Sequence, residues 1–221
     1  MKRALHALLL LAAITQSGAA MAQATGTTAG TAVTATAATT AATTTAMAKA
    51  KATFAGGCFW CVEADFDKVR GVLSTTSGYI GGSVANPSYE QVSSKTTGHT
   101  QAVEIVFDPT LVSYATLVNH FWRTIDPTTK DRQFCDVGST YRTAIFTHGA
   151  EQAAVVNRSL EELQKTKPFK QAIVTQVRPA TTFYLAEAYH QDYYKKNPVR
   201  YAYYRAGCGR DARLEQLWGK R

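Results

Sequence analysis

No cysteine precedes Cys58 in this 221-residue chain, and no long apolar run occurs beyond its first residues. The second absence excludes a multi-span membrane protein, and the first removes any acceptor for a lipid at an N-terminal cleavage site. No clustered His/Cys spacing suggests zinc and no Gly-rich phosphate loop is present, so neither a metal nor a cofactor is implied. There is no nucleic-acid-binding motif and no internal repeat. Apolar residues make up 45% and aromatics 10%, which excludes wholesale disorder, collagen and heptad fibres.

What is present divides into three segments. Lys2 and Arg3 precede an apolar stretch from Ala4 to Ile14, and Ala20-Met21-Ala22 supplies a small-x-small pattern. Residues 1–22 are therefore expected to be a signal peptide. Thr15, Gln16 and Ser17 end the apolar stretch well short of the roughly 20 residues that a membrane anchor needs. A soluble exported protein, periplasmic or secreted, is the expectation. In residues 23–50, 22 of 28 positions are Thr or Ala and Lys49 is the one charge, a composition for a disordered linker. Residues 51–221 are long enough for one domain with a real core. The formal charge is +8, and residues 195–221 hold eight basic side chains against Asp211 and Glu215. This reads as a solvated basic C-terminal tail, not as a nucleic-acid surface.

Periodicity outlines the domain. Lys51 to Phe54 reads as a short strand; from Cys58 to Val69 the spacing becomes helical, with Phe59, Val62, Phe66 and Val69 on one arc and Gly71 as the stop. Gln101 to Phe107 alternates as a half-buried strand and ends at Asp108-Pro109. Ser113 can cap a helix carrying Leu117, Val118, Phe121 and Trp122. Arg142–Thr147 and Ala172–Val177 read as strands around a helix from Glu151 to Lys165. Helices interleaved with short strands predict an α+β domain, a two-layer α/β sandwich with a mixed sheet and a ferredoxin-like core.

The four cysteines are Cys58, Cys61, Cys135 and Cys208. Two structural disulfides are one reading for an exported protein, although 171 residues do not need such staples. Cys58 follows Gly-Gly and opens a predicted helix, where free backbone N–H groups and the dipole stabilise a thiolate. On a helical wheel Cys61 is its neighbour at the edge of the buried face, a reactive location. Phe59 falls on the core arc and Trp60 faces away from it, free to line a pocket for a sulfur-bearing side chain.

The run Gly57-Cys58-Phe59-Trp60-Cys61-Val62-Glu63 resembles the signature of the peptide methionine sulfoxide reductases of the A type. The likeness continues through Gly78-Tyr79-Ile80-Gly81-Gly82, Asn86-Pro87-Ser88-Tyr89, Thr97-Gly98-His99, Asp126-Pro127-Thr128 and Asp136-Val137-Gly138-Ser139-Thr140-Tyr141-Arg142 to His190-Gln191 and Lys196-Asn197-Pro198. It covers residues 53–200. The resemblance implies that Cys58 attacks the sulfur of a methionine S-sulfoxide, free or in an oxidised protein, and becomes a sulfenic acid. A second cysteine then closes a disulfide, which a thioredoxin-like reductant opens. Phe59 and Trp60 match the wall for the substrate methyl group, and Tyr89, Asp136 and Tyr141 match the groups that hold the sulfoxide oxygen. A monomer is expected.

Two departures qualify that match. Where the family has Thr-Gly-His-Ala-Glu, this chain has Thr97-Gly98-His99-Thr100-Gln101, and an amide donates a hydrogen bond but cannot transfer a proton. Glu104 lies at an odd offset on the other face of the strand. Asp136, or a water held by Tyr89 and Tyr141, would have to supply the proton. The tail also carries a single cysteine, Cys208, between Gly207 and Gly209. It is the first expectation for the resolving thiol, with Cys61 the alternative and Cys135 third.

Three other functions compete. A thioredoxin-like oxidoreductase would use Cys58 and Cys61, but leaves the motifs from Tyr79 to Tyr141 unexplained. A cysteine peptidase would pair Cys58 with His190, at a compatible spacing but without the sequence context. A binding domain without catalysis requires all four cysteines paired. His190 and His99 read as structural, and the seven tyrosines between Tyr184 and Tyr204 as packing.

Overall fold

The computed structural model describes residues 49–220. The expected signal peptide and nearly all of the expected linker lie outside the described residues. Among the described residues, no helix is long and apolar enough to cross a membrane.

The first strand, β1 (Ala50–Gly56), begins one residue before the expected domain start and pairs with β3 (Thr100–Phe107) from Ala50↔Phe107 onward. Between them lie helix α1 (Phe59–Phe66), strand β2 (Val72–Ile80) and the short helix α2 (Tyr89–Ser93). Helix α3 (Tyr114–Thr124), the hairpin β4 (Arg132–Gln133) with β5 (Asp136–Val137), and a 3-10 turn at Ser139–Tyr141 lead to β6 (Thr143–Thr147). Helix α4 (Ala150–Thr166) and strands β7 (Gln176–Pro179) and β8 (Tyr184–Leu185) follow. The chain ends in helices α5 (Tyr193–Lys196), α6 (Pro198–Gly207) and α7 (Arg210–Trp218).

The sheet order is β7-β6-β1-β3-β2-β8, antiparallel throughout except for the parallel pair β6 and β7. Its central four strands, with α1 between β1 and β2 and α3 between β3 and β6, make the split βαβ of a ferredoxin-like core. Phe54 of β1 stacks on Phe66 of α1 (5.1 Å) and on Phe121 of α3 (4.9 Å), so one residue joins both helices to the sheet. Val62, Val103, Ile105, Leu117, Val118 and Ile145 complete that face, all buried. The opposite face is smaller: Ala55, Ile80, Ala102, Ala144 and Phe146 lie against Ala180 and Phe183.

The predicted Ser113 cap is present, its hydroxyl accepting from Thr116 N–H at 3.1 Å. Other boundaries move for identifiable reasons. Helix α1 stops at Phe66, and Asp67 accepts from Thr75 and Tyr194 hydroxyls at 2.6 Å each, tying the chain's turn to β2 and α5. The strand expected at Ala172–Val177 is displaced to Gln176–Pro179 because Val174 N–H is committed to the Pro127 carbonyl at 2.8 Å. Strand β2 escaped prediction because its Ser74-Thr75-Thr76-Ser77 stretch carries no apolar alternation.

The largest correction concerns residues 195–220, which are built into helices and not a solvated tail. Leu214, Leu217 and Trp218 are buried against Phe134, Leu163 and Phe169. Arg210 is 2% exposed, donating to the Thr124 carbonyl at 2.7 Å and lying 4.6 Å over the Phe134 ring. Its Nε is 3.7 Å from Asp65, which also pairs with Arg205 at 3.0 Å, and Arg213 meets Asp126 at 2.8 Å. Three of the eight basic side chains, Arg205, Arg210 and Arg213, are therefore the complement of buried carboxylates on α1 and the loop after α3. The expected mobile Gly-Cys-Gly segment is the joint of two helices: Cys208 closes α6 with its N–H on the Tyr204 carbonyl at 2.9 Å.

Candidate active site

Both ends of the sheet are not equivalent. At one end, β1 delivers Gly56-Gly57-Cys58 beside the start of antiparallel β3, which carries Gln101. Gly57 has φ +87°, and a Cβ there would sit 2.5 Å from Cβ of Gln133, so only glycine fits the turn into α1. Cys58 is the N-cap residue of α1 but its own side chain caps nothing. The free N–H of Phe59 is instead bonded by the Gln101 Oε1 at 3.1 Å. Gln101 thus closes the first turn of the helix from the neighbouring strand.

Cys58, Phe59, Trp60, Tyr89, Gln101, Asp136, Tyr141 and Tyr204 line one cavity of about 60 Å³. All the non-cysteine residues expected at the site are therefore brought together, from five segments of the chain. The cavity has an apolar and a polar side. Trp60 is held on its outer face by Tyr193, stacked at 3.8 Å, and its indole N–H donates to His190 Nδ1 at 3.0 Å. His190 is thereby neutral with its proton on Nε2, and burial holds it below its ordinary pKa. Opposite, the Tyr89 and Tyr141 hydroxyls hydrogen-bond each other, and burial raises both phenols. Tyr204 donates to Asp136 Oδ2 at 2.5 Å and reaches the Cys58 sulfur as well.

The thiols depart from expectation. Cys58 and Cys61 are both free and both buried, 6% and 2% exposed, because the C-terminal helices cover the face that the wheel left open. Burial pushes the Cys58 thiol well above its usual range, outweighing the helix N-terminus that was expected to lower it. The depressed thiol is Cys61, brought down to about 7 by the hydrogen bond from Cys58 and by the guanidiniums of Arg210 and Arg205. The hydrogen bond from Cys58 is the larger cause, and the arginines add to it. Cys208, expected to meet Cys58, is bonded to Cys135, with Cα atoms 4.8 Å apart. Burial raises the Asp136 carboxyl, the residue after Cys135, above the usual carboxylate range.

Sequence reasoning missed Tyr204 and Tyr193, classing both with packing tyrosines. For Tyr204 a signal existed: it lies one helical turn before the cysteine expected to approach Cys58. Glu104 is paired with Lys51 at 2.9 Å on the outer face, away from the cavity. Among the described residues no hydrogen bond joins His190 to a thiol; its Nδ1 accepts from Trp60, so the peptidase pairing is not built. Cys135, Asp136 and Cys208 offer donor atoms within 4.8 Å of one another, but both sulfurs are spent on the disulfide.

Comparison with known proteins places this geometry. Residues 50–221 match the family model described as "Peptide methionine sulfoxide reductase". A "Peptide methionine sulfoxide reductase MsrA" of Ligilactobacillus salivarius is 54% identical over 172 residues, covering 78% of this chain and 99% of that protein. Among solved structures, the "Methionine sulfoxide reductase A of Corynebacterium diphtheriae" is similar with a TM-score of 0.61 and 33% identity, covering 68% of this chain and 76% of that one. A reduced-form Saccharomyces cerevisiae structure is similar with a TM-score of 0.65 and 30% identity, over 68% and 87% of the two chains.

Proposed function

The chain belongs to the peptide methionine sulfoxide reductase family, and from that premise we propose how its residues divide the reaction. It is an oxidoreductase acting on methionine sulfoxide. Cys58 is the nucleophile toward the S epimer of the sulfoxide. The observation that carries this is the two-sided cavity at the Cys58 sulfur, with Phe59 and Trp60 for a methyl group and Tyr89, Asp136 and Tyr141 for an oxygen. A cavity of about 60 Å³ takes the methyl sulfoxide end of a side chain and leaves the rest of a peptide outside. Because the methyl and oxygen sites are distinct, the sulfur's handedness is read relative to Cys58.

Attack by the Cys58 sulfur leaves a sulfenic acid and releases methionine. Cys61 then resolves it. Cys61 is free, adjacent on the helix and depressed to about 7, so a thiolate is available at neutral pH. Cys208 is engaged elsewhere. The Cys58–Cys61 disulfide is reopened by a thioredoxin-like dithiol. The test is turnover of stereopure sulfoxides with a dithiol reductant, followed by peptide mapping of the disulfide after one cycle. S-specific turnover with a Cys58–Cys61 bond supports the assignment; folded protein without S-specific turnover refutes the function, and a Cys58–Cys208 bond refutes the resolver.

Export is part of the same reading and rests on the sequence of residues 1–22 alone. N-terminal sequencing of the mature protein tests it, with a start at Gln23 expected.

A further inference from the structure

The segment that follows β8 touches both walls of the cavity. Between Ala186 and Asp192 it carries His190, which accepts the Trp60 indole N–H at 3.0 Å, and Glu187, which accepts the Tyr89 N–H at 2.8 Å. We propose that Glu187 is a positioning residue that sets the gap between the methyl wall and the oxygen-holding side of the cavity, acting through Tyr89. This rests on the reading of the Cys58 cavity as the site for a methyl sulfoxide.

The Glu187 carboxylate accepts one bond at each oxygen. Oε1 takes the Tyr89 N–H, and Oε2 takes the Tyr79 hydroxyl at 2.8 Å. Tyr89 opens α2, so its N–H has no partner within that helix. The Ser88 hydroxyl caps the Gln91 N–H and leaves the Tyr89 N–H to Glu187. Tyr79 is fully buried on β2, so the second bond ties the same carboxylate to the sheet. Burial alone would raise the Glu187 carboxyl, but its own N–H, the Tyr89 N–H and the Tyr79 hydroxyl hold it below its usual range. Both oxygens therefore remain acceptors at neutral pH.

The segment is pinned independently of that carboxylate. Gln191 accepts from the Ser77 N–H and donates to the Ser77 carbonyl, at 2.9 Å each, and the Asp192 N–H donates to Glu63 of α1 at 3.1 Å. The His190 ring lies 4.5 Å from Tyr89 and 4.9 Å from Phe59. Its buried Nε2 has no hydrogen-bond partner among the described residues and lies 4.0 Å from Glu187 Oε2, so the same carboxylate faces the proton that fixes the ring's tautomer. The methyl wall is thus anchored by Gln191, Asp192 and the Trp60–His190 bond, whereas the carboxylate of Glu187 carries the link to Tyr89. Its removal frees α2 to shift while Trp60 stays in place. A misplacement of about 1 Å at a group that must meet the reacting atoms can cost ~10²-fold in rate.

The test is Glu187→Ala in single-turnover release of methionine from an S-sulfoxide peptide. Beside it runs binding of the same peptide with unoxidised methionine, which engages the methyl wall and has no oxygen to place. The maximal rate should fall by roughly 10–100-fold while affinity for the unoxidised peptide changes by less than about twofold. Glu187→Gln should recover most of the loss, because its amide oxygen can take the Tyr89 N–H and its nitrogen can donate to the Tyr79 oxygen. Glu187→Ala combined with Tyr89→Phe should be no slower than Tyr89→Phe alone, since both changes remove one and the same contact. Glu187→Ala at the parent rate overturns the proposal. So does a loss matched by weakened binding of the unoxidised peptide, a glutamine variant as slow as the alanine one, or losses that add fully in the double variant. Each of these marks a carboxylate that only supports the fold. Should the alanine variant not fold, Glu187→Asp, which withdraws the carboxylate by one methylene, is read for the same pattern and overturns the proposal by the same outcomes. A parent chain that reduces no sulfoxide at all refutes the site reading itself, and is told apart by the unaltered protein failing.

Discussion

Cys58 and Cys61 stand three residues apart at the start of one helix and remain thiols, whereas Cys135 and Cys208 are 73 residues apart and bonded. The contrast has an energetic side. By chain entropy, a bond closing a four-residue loop stabilises the fold by about 2 kcal/mol, and one closing 74 residues by about 4 kcal/mol. A disulfide made and broken in each catalytic cycle should matter little to the fold, which suits the short loop. The long-range bond ties β5 to the C-terminal helices, and opening it costs the scaffold. The two pairs also differ in surroundings. In the first, Cys58 faces the cavity and Cys61 the guanidiniums of Arg205 and Arg210; in the second, Cys135 precedes Asp136 and Cys208 follows Tyr204 by one helical turn.

The sharpest way to break this division is to remove one sulfur from each pair. Cys58→Ser should abolish sulfoxide reduction in single and multiple turnover alike, since a neutral hydroxyl has no comparable nucleophilicity. Cys61→Ser should release one equivalent of methionine per chain and then stop with a dithiol protein as reductant, while small thiols that attack the sulfenic acid restore cycling. Cys208→Ser should keep cycling with the dithiol protein but unfold more easily, by about 2–4 kcal/mol in denaturant titration. If Cys208→Ser stops after one turnover and Cys61→Ser does not, the roles of the pairs are exchanged.

How much of this was legible in the sequence follows from range. Local signals worked: the Ser113 cap, the arc Phe59-Val62-Phe66 and the alternation of Gln101–Phe107 each report contacts within a few residues. The cavity residues were legible through ordered motifs, which no periodicity supplies. What failed was long-range. Arg205, Arg210 and Arg213 looked solvated because their partners, Asp65 and Asp126, lie 87 or more residues earlier. For the same reason the cover that α6 lays over Cys58 and Cys61 was invisible, and the sign of the Cys58 shift was misjudged. A helix N-terminus favours a thiolate only while water or a cation reaches it, and here burial dominates. The 73-residue disulfide could not be read from spacing at all.

A smaller effect probes the polar side of the cavity. In Gln101→Glu, one carboxyl oxygen can keep the bond to Phe59 N–H while the other takes the place of the amide nitrogen. Poor solvation at a residue 2% exposed raises that carboxyl's pKa, so it carries a proton in the acid range. The expected gain in single-turnover rate is about tenfold, less than the full value of a well-placed acid, because Asp136 already lines the cavity as a raised carboxyl. The sign follows from the donor's form: the gain is present below the new carboxyl's pKa and disappears as pH rises through it. A gain that grew with pH would mean that the carboxylate acts on the thiol and not on the oxygen.

The smallest expected effect is spectroscopic and separates the two thiols without turnover. Cys61 is depressed to about 7 and Cys58 is raised well above the ordinary thiol range, so the pair should lose its two protons in widely spaced steps. Thiolate ultraviolet absorbance of the protein with the Cys135–Cys208 bond intact should rise by one equivalent around pH 7. The second equivalent should stay silent until strongly alkaline pH. Cys61→Ser should erase the step near 7 without creating another there, because the remaining thiol keeps the burial that is the largest cause of its rise. Arg205→Gln should move the step upward without removing it, since Arg210 still faces Cys61 and the hydrogen bond from Cys58, the larger cause, is untouched. Were Cys58→Ser to erase the step instead, the low thiolate would belong to the nucleophile. The arginines of the C-terminal helices would then be tuning attack on the sulfoxide and not the closing of the disulfide.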